Sequence, residues 1–161
     1  MLNSLDDIKL KRVKINDKEK IAELIHFTIS EDYKRFYPDE VAGYLIDYHN
    51  QERIVSNITS GYFIAVETDH KIIAAGCLTN DEINSVYTHP EYQNKGLGKI
   101  IMQELMQEAE KKRLNRVYID AMINSRNFYE KLGFKVLHAE CEIIRDNIPL
   151  DYYRMVIEIN E

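Results

Sequence analysis

The sequence predicts an α+β domain on a central mixed, largely antiparallel sheet, and three observations carry that expectation. Apolar residues recur at helical spacing before Ser60, and from Gly61 they fall into short β-prone runs. A long amphipathic stretch, Leu97 to Lys112, then separates early strands from late ones. No linker, repeat or low-complexity segment divides the 161 residues, so one domain over 1–161 is expected.

Val13 to Ile15 reads as the close of an opening strand, after which Asp17 can cap a helix bearing Ile21, Leu24, Ile25 and Thr28 on one face. A second helical region follows Pro38, with Val41, Leu45, Ile46, Ile54, Val55 and Ile58 as its stripe. Tyr62–Val66 and Ile72–Leu78, separated by Thr68-Asp69-His70-Lys71, form a hairpin. Ile83 to Thr88 is a further strand ended by Pro90. The helix from Leu97 to Lys112 packs 97, 101, 105 and 109 on the sheet. Arg116–Ile119 restarts a strand, Ser125–Leu132 is a short helix stopped by Gly133, and Phe134–Leu137 and Tyr153–Ile159 are the last strands. The expected order is β-αα-β-β-β-α-β-α-β-β.

A chain of this length buries roughly two-thirds of its unfolded surface and needs no covalent staple. Cys77 and Cys141 lie in apolar stretches without metal-ligand spacing, which fits reduced thiols. The residues from Met1 to Lys11 show no apolar leader core, and no run approaches a membrane span, so a cytoplasmic protein without a membrane partner is expected. A net charge of −6 argues against a nucleic-acid partner. Lys111-Lys112-Arg113 is placed where cations face a helix C-terminus. Histidines 26, 49, 70, 89 and 138 show no paired spacing, so no metal site is expected.

The chemistry concentrates in Val86 to Lys99, where a glycine-bearing turn joins a strand to a helix. Glycine lets a ligand approach the backbone, and the first N–H groups of the helix point outward unpaired. That is an anion cradle, with Lys95 and Lys99 adding positive charge. A P-loop is excluded because GxxxxGK with Ser or Thr is absent. A dinucleotide fingerprint fails because Ile101 stands where its third glycine belongs.

Downstream, Asn124 to Phe134 reads NSRNFYEKLGF. With Gln93-Asn94-Lys95-Gly96-Leu97-Gly98, this segment resembles the GNAT superfamily, the GCN5-related N-acetyltransferases, whose turn reads Gln/Arg-x-x-Gly-x-Gly/Ala. The close match runs from about Ile83 to Phe134, and the element order agrees from about Ile8 to Ile159. The resemblance implies helices on both sheet faces and a splayed strand pair at the site of acetyl-CoA, the co-substrate. Val86, Tyr87 and Thr88 would pair through their backbone with the pantetheine arm. Gln93, Asn94, Lys95, Gly96, Leu97, Gly98 and Lys99 would hold the pyrophosphate. Tyr129 would lie near the thioester sulfur, as proton donor to the thiolate or as a hydrogen-bond donor to it. Asn124 would stand near the cofactor or cap a helix, and Lys131 would reach phosphates or water.

The implied activity is transfer of acetyl to an amine, of a small molecule or a peptide. An amine near pKa ~10.4 must lose a proton before it attacks, at a cost of about 4–5 kcal/mol at neutral pH. Glu82 and Asp120, at strand ends expected to open toward the acceptor, are the candidate bases. With no recognised Cys/His spacing at either cysteine, direct transfer in a ternary complex is favoured over an acetyl-cysteine. The alternative is a non-catalytic acetyl-CoA sensor or partner-binding module. Substrate choice is placed in Ser30–Ser60 and the late loop Glu140–Asp151. There Tyr33, Phe36, Tyr37 and Tyr44 either wall a pocket or pack helices, and Glu31, Asp32, Asp39 and Glu40 either attract a cation or face water. A monomer or a homodimer is expected.

Overall fold

Apolar stripes at helical spacing build the first half of the chain. The computed structural model describes residues 7–159; the N-terminal residues read above as lacking a leader core lie partly outside them, through residue 6. It opens with β1 (Lys9–Arg12) and continues through α1 (Lys18–Asp32), α2 (Asp39–Tyr48) and α3 (Gln51–Ser60). The second half holds β2 (Tyr62–Thr68), β3 (Lys71–Thr79), β4 (Glu82–Thr88), α4 (Leu97–Lys111), β5 (Arg116–Met122), α5 (Arg126–Lys131), β6 (Lys135–Ile143) and β7 (Pro149–Glu158). The seven strands form one sheet in the order β1-β2-β3-β4-β5-β7-β6, antiparallel except for the β4–β5 pair. No helix among the described residues is long and apolar enough to cross a membrane.

The sheet separates two apolar clusters. Ile21, Ile25, Val41 and Ile54 of α1–α3 pack one face with Phe63 and Ala75, and Leu97, Ile101, Met102 and Leu105 of α4 pack the other with Ile64, Ile73 and Val117. The α4 stripe is fully buried, as its spacing of 97, 101 and 105 requires.

Several elements differ from expectation. The first strand ends at Arg12: Val13 keeps one bond to β2, its N–H donating to the Phe63 carbonyl at 2.8 Å, and Ile15–Asp17 then makes a 3₁₀ turn. Asp17 does not cap α1 with its side chain; its carboxylate accepts from the Lys14 N–H at 2.9 Å and from Lys11 Nζ at 3.0 Å. The helical region after Pro38 is two helices, broken where Asn50 caps α3 by accepting from the Arg53 N–H at 3.0 Å. The late strands are longer than expected: 140–143 belong to β6 and 149–151 to β7, so the connection shrinks to 144–148. Cys141 on β6 is exposed and flanked by Glu140 and Glu142, so it does not lie in the apolar stretch expected for it.

Parallel pairing joins β4 to β5 only at Glu82↔Tyr118 and Ile83↔Ile119. Ser85 then adopts a left-handed φ of 55°, at a register irregularity opposite β3 between Ala75 and Cys77. From there to Thr88, β4 keeps its bonds to β3 but has no ladder partner in β5. The sheet is open at that point, and two cavities lie there.

Candidate active site

The turn after β4 has the backbone that an anion cradle needs. Asn94 and Gly96 both take positive φ, 60° and 84°, and Gly96 is the N-cap of α4. The first helical bond runs from the Ile100 N–H to the Gly96 carbonyl at 3.1 Å. The N–H groups of Leu97, Gly98 and Lys99 therefore precede the ladder. A side chain on Gly98 would meet the Phe128 ring at 3.1 Å, so its absence lets α5 close over the turn. Gln93 fixes the start of the turn, its amide donating to Asp32 Oδ2 and, at 3.0 Å, to the Thr88 carbonyl.

Two cavities open at the splay. The first, of about 450 Å³, lies against the turn and is walled by Thr88, Asn94, Gly96, Gly98, Lys99 and Phe128 among others. Asn124 lines it with Oδ1 buried and lacking any hydrogen-bond partner among the described residues. Such an orphaned acceptor is costly unless a ligand donor reaches it. Ser125, not Asn124, holds the N-cap position of α5, so the capping role is not the one Asn124 has. Arg35 and Tyr92 also line this cavity. Lys95 and Lys131 do not: Lys95 stands 5.3 Å over the Tyr92 ring, and Lys131 is exposed at the end of α5.

The second cavity, of about 240 Å³, lies under α2 and the ends of β6 and β7; Tyr44, His49, Glu82, Asp120, Glu142 and Tyr152 are in its wall. The two cavities share Tyr33, Val86, Tyr87, Ser125 and Tyr129. Tyr129 is 5% exposed, held edge-on by Phe128 and Phe134. Its hydroxyl has no hydrogen-bond partner among the described residues, and burial drives its pKa far above the ordinary phenol range.

Glu82 and Asp120 come together on one guanidinium: Arg154 Nη1 lies 3.1 Å from Glu82 Oε1 and 3.0 Å from Asp120 Oδ1. Of the aromatic residues expected to wall an acceptor pocket, Tyr33 and Tyr44 line the second cavity, whereas Phe36 lines the first. Tyr37 is structural: its hydroxyl donates to the Asp151 carbonyl at 2.7 Å and accepts from the Ile123 N–H at 2.9 Å. The acids also change. Glu31, Asp39 and Glu40 line neither cavity and Asp32 lines only the first, while Glu142 joins Glu82 and Asp120 in the second.

Sequence reasoning missed His49, Arg154 and Arg35. His49 closes α2, is 7% exposed, and bonds the Tyr87 hydroxyl through Nε2 at 3.0 Å. Burial, with Arg53 and His26 nearby, lowers its pKa to about 4, so it is neutral at pH 7. Its signal was helical spacing, since 44, 45, 48 and 49 share one face of α2. Arg154 was legible only through its alternation with Tyr152 on β7.

The model of the acetyltransferase (GNAT) family matches residues 22–134. The chain belongs to that family. Among curated relatives, an uncharacterized N-acetyltransferase of Pyropia yezoensis is 34% identical over 55 residues, which are 34% of this chain and 32% of that protein. The chain thus spans about a third of the length of the curated relatives it matches. A GCN5-related N-acetyltransferase from Rhodopseudomonas palustris superimposes with a TM-score of 0.87 at 16% identity, over 98% of this chain and 99% of that one. PaiA N-acetyltransferase from Thermoplasma acidophilum, solved in complex with coenzyme A, gives 0.74 at 20% identity over 94% and 99%. At these identities the likeness is one of fold.

Proposed function

We propose that the chain, as a single domain, moves the acetyl group of acetyl-CoA to an amine by direct transfer in a ternary complex. The observation that carries this reading is the meeting of two cavities at Tyr129 through the β4–β5 splay. One cavity offers the unpaired N–H groups of Leu97, Gly98 and Lys99 for phosphate oxygens, with Lys99 and Arg35 as cations. Asn124 Oδ1 accepts from the co-substrate, and the backbone of Val86, Tyr87 and Thr88 accompanies its arm. Lys95 and Lys131 act at the rim, by charge rather than contact.

In the transfer, the amine nitrogen bonds to the acyl carbon and the carbon–sulfur bond breaks, leaving a thiolate. Of the two protons an ammonium loses, one passes to the thiolate and one to solvent. Tyr129 donates a hydrogen bond to the developing sulfur charge, and Glu82 and Asp120 receive the amine proton through water. Neither cysteine is in the wall of either cavity, and burial raises the Cys77 thiol to about 11, which supports transfer without an acetyl-cysteine.

The test is calorimetry with acetyl-CoA followed by thiol release in the presence of an amine panel. Saturable binding with amine-dependent thiol release is expected. Binding without release for any amine would favour a sensor of acetyl-CoA instead.

A further inference from the structure

The acceptor cavity has two ends of different character. Where it meets the first cavity its wall is uncharged: Tyr33, Val86, Tyr87, Ser125 and Tyr129. Elsewhere it carries the carboxylates of Glu82, Asp120 and Glu142, and no lysine or arginine. Arg154 offsets one of these charges, so two negative charges remain. Glu142 has no cation within salt-bridge distance among the described residues; its Oε1 accepts from the Tyr44 hydroxyl at 3.2 Å.

We propose that this cavity selects an acceptor with two cationic nitrogens, one held at Glu142 and the other delivered to Tyr129; the proposal rests on the transfer reading above.

The reasoning is positional. An ammonium is attracted to carboxylates and to the faces of tyrosine rings such as Tyr44 and Tyr152, but the nitrogen that attacks must be neutral. A monoamine would satisfy the carboxylates with its only nitrogen and leave the reacting end empty. A diamine fills both ends, its charged nitrogen anchoring the chain while the other sheds its proton in the uncharged zone. Two phenols report the sign of the field. Tyr152 is raised in pKa by burial and then by Asp120, Glu140 and Glu142, against the opposing pull of Arg154. Tyr44 is raised by burial and then by Glu142, with Arg145 opposing. His49, on the same wall, is neutral and adds no compensating charge. An acceptor carrying a phosphate meets repulsion here.

The experiment titrates the protein saturated with coenzyme A with 1,3-diaminopropane, 1,4-diaminobutane and 1,5-diaminopentane, and with n-butylamine and O-phosphoethanolamine, by calorimetry. At least one diamine should bind about tenfold more tightly than n-butylamine, the gain of one charge-assisted hydrogen bond at a partly exposed carboxylate. Glu142→Gln should reduce that ratio several-fold; the residue is on the surface, and a thermal melt checks that the variant folds. Butylamine equal to every diamine, a ratio untouched in the folded variant, or phosphoethanolamine as the tightest ligand would overturn the proposal. Thiol release is read separately. Tight diamine binding without release sinks the transfer reading but leaves the charge selection standing. Release as efficient with butylamine as with the best diamine does the reverse.

Discussion

A phenol buried as Tyr129 is holds its proton more firmly than free tyrosine. The reference values, near 10 for tyrosine and near 8.5 for a thiol, already make proton transfer to a thiolate uphill, and burial steepens the slope. Under the proposed transfer, hydrogen bonding to the sulfur is therefore the role that fits Tyr129 better than full proton donation. Tyr129→Phe should lower kcat by roughly 10- to 150-fold, the worth of a hydrogen bond to a charged group, with acetyl-CoA affinity retained in calorimetry. The native enzyme should show no alkaline limb below pH ~10 that the variant lacks; such a limb with a larger loss would instead identify a general acid. His49 gives a prediction about stability. Its folded pKa of about 4 lies below the unfolded value near 6.5, so the unfolded chain binds the extra proton first as pH falls. Stability should drop between pH 6.5 and pH 4 by up to about 3 kcal/mol and gain nothing from His49 above that window. Urea unfolding at pH 7 and pH 4.5 measures the drop, and His49→Gln should shrink it. An equal drop in both proteins would mean that the imidazole protonates in place, beside Arg53, His26 and Tyr87.

At the scale of elements, the strand, turn and helix from β4 through α4 were legible because few backbones tolerate that sequence. Gly96 sits at φ 84°, where a side chain is strained even though a Cβ would meet nothing within 4 Å. Gly96→Val should thus abolish measurable acetyl-CoA binding by calorimetry, through the altered cradle and the bulk placed before it, while a cooperative thermal transition persists at a lower midpoint. Affinity at the native level would remove the cradle from the mechanism. Other elements were hidden for physical reasons. The α2–α3 break rests on one side-chain oxygen, Asn50 Oδ1, inside an otherwise continuous apolar stripe. The polar outer halves of β6 and β7 read as loop, since those strands pair with each other at the sheet edge, where Glu140 is half-buried and Glu142 and Asp151 are exposed. The second cavity was illegible for the same reason: its wall is assembled from α2, β4, β5, β6 and β7 among others, and no sequence window contains Glu82, Asp120 and Glu142 together.

On the scale of the whole molecule, the formal charge of −6 would act with opposite sign on acetyl-CoA and on the cationic acceptor proposed above. Acetyl-CoA, a polyanion, would be repelled at long range, although in the proposed reading the α4 N-terminus and Lys99 attract it at contact. A cationic acceptor is attracted from a distance and again by the acidic cavity. Salt shortens the reach of both effects, the screening length falling from ~10 Å at 0.1 M to ~3 Å at 1 M. Raising ionic strength should therefore slow the association of a diamine and speed, or leave level, that of acetyl-CoA. Stopped-flow tyrosine fluorescence can follow each encounter separately, because the cavities share Tyr33, Tyr87 and Tyr129. The expected result is two association rates with slopes of opposite sign, or one falling and one flat, between 20 mM and 500 mM salt, ionic strengths of about the range over which screening changes most. If both rates fall together, local basic groups dominate the approach of acetyl-CoA, and the net charge of the molecule is not what governs its encounters.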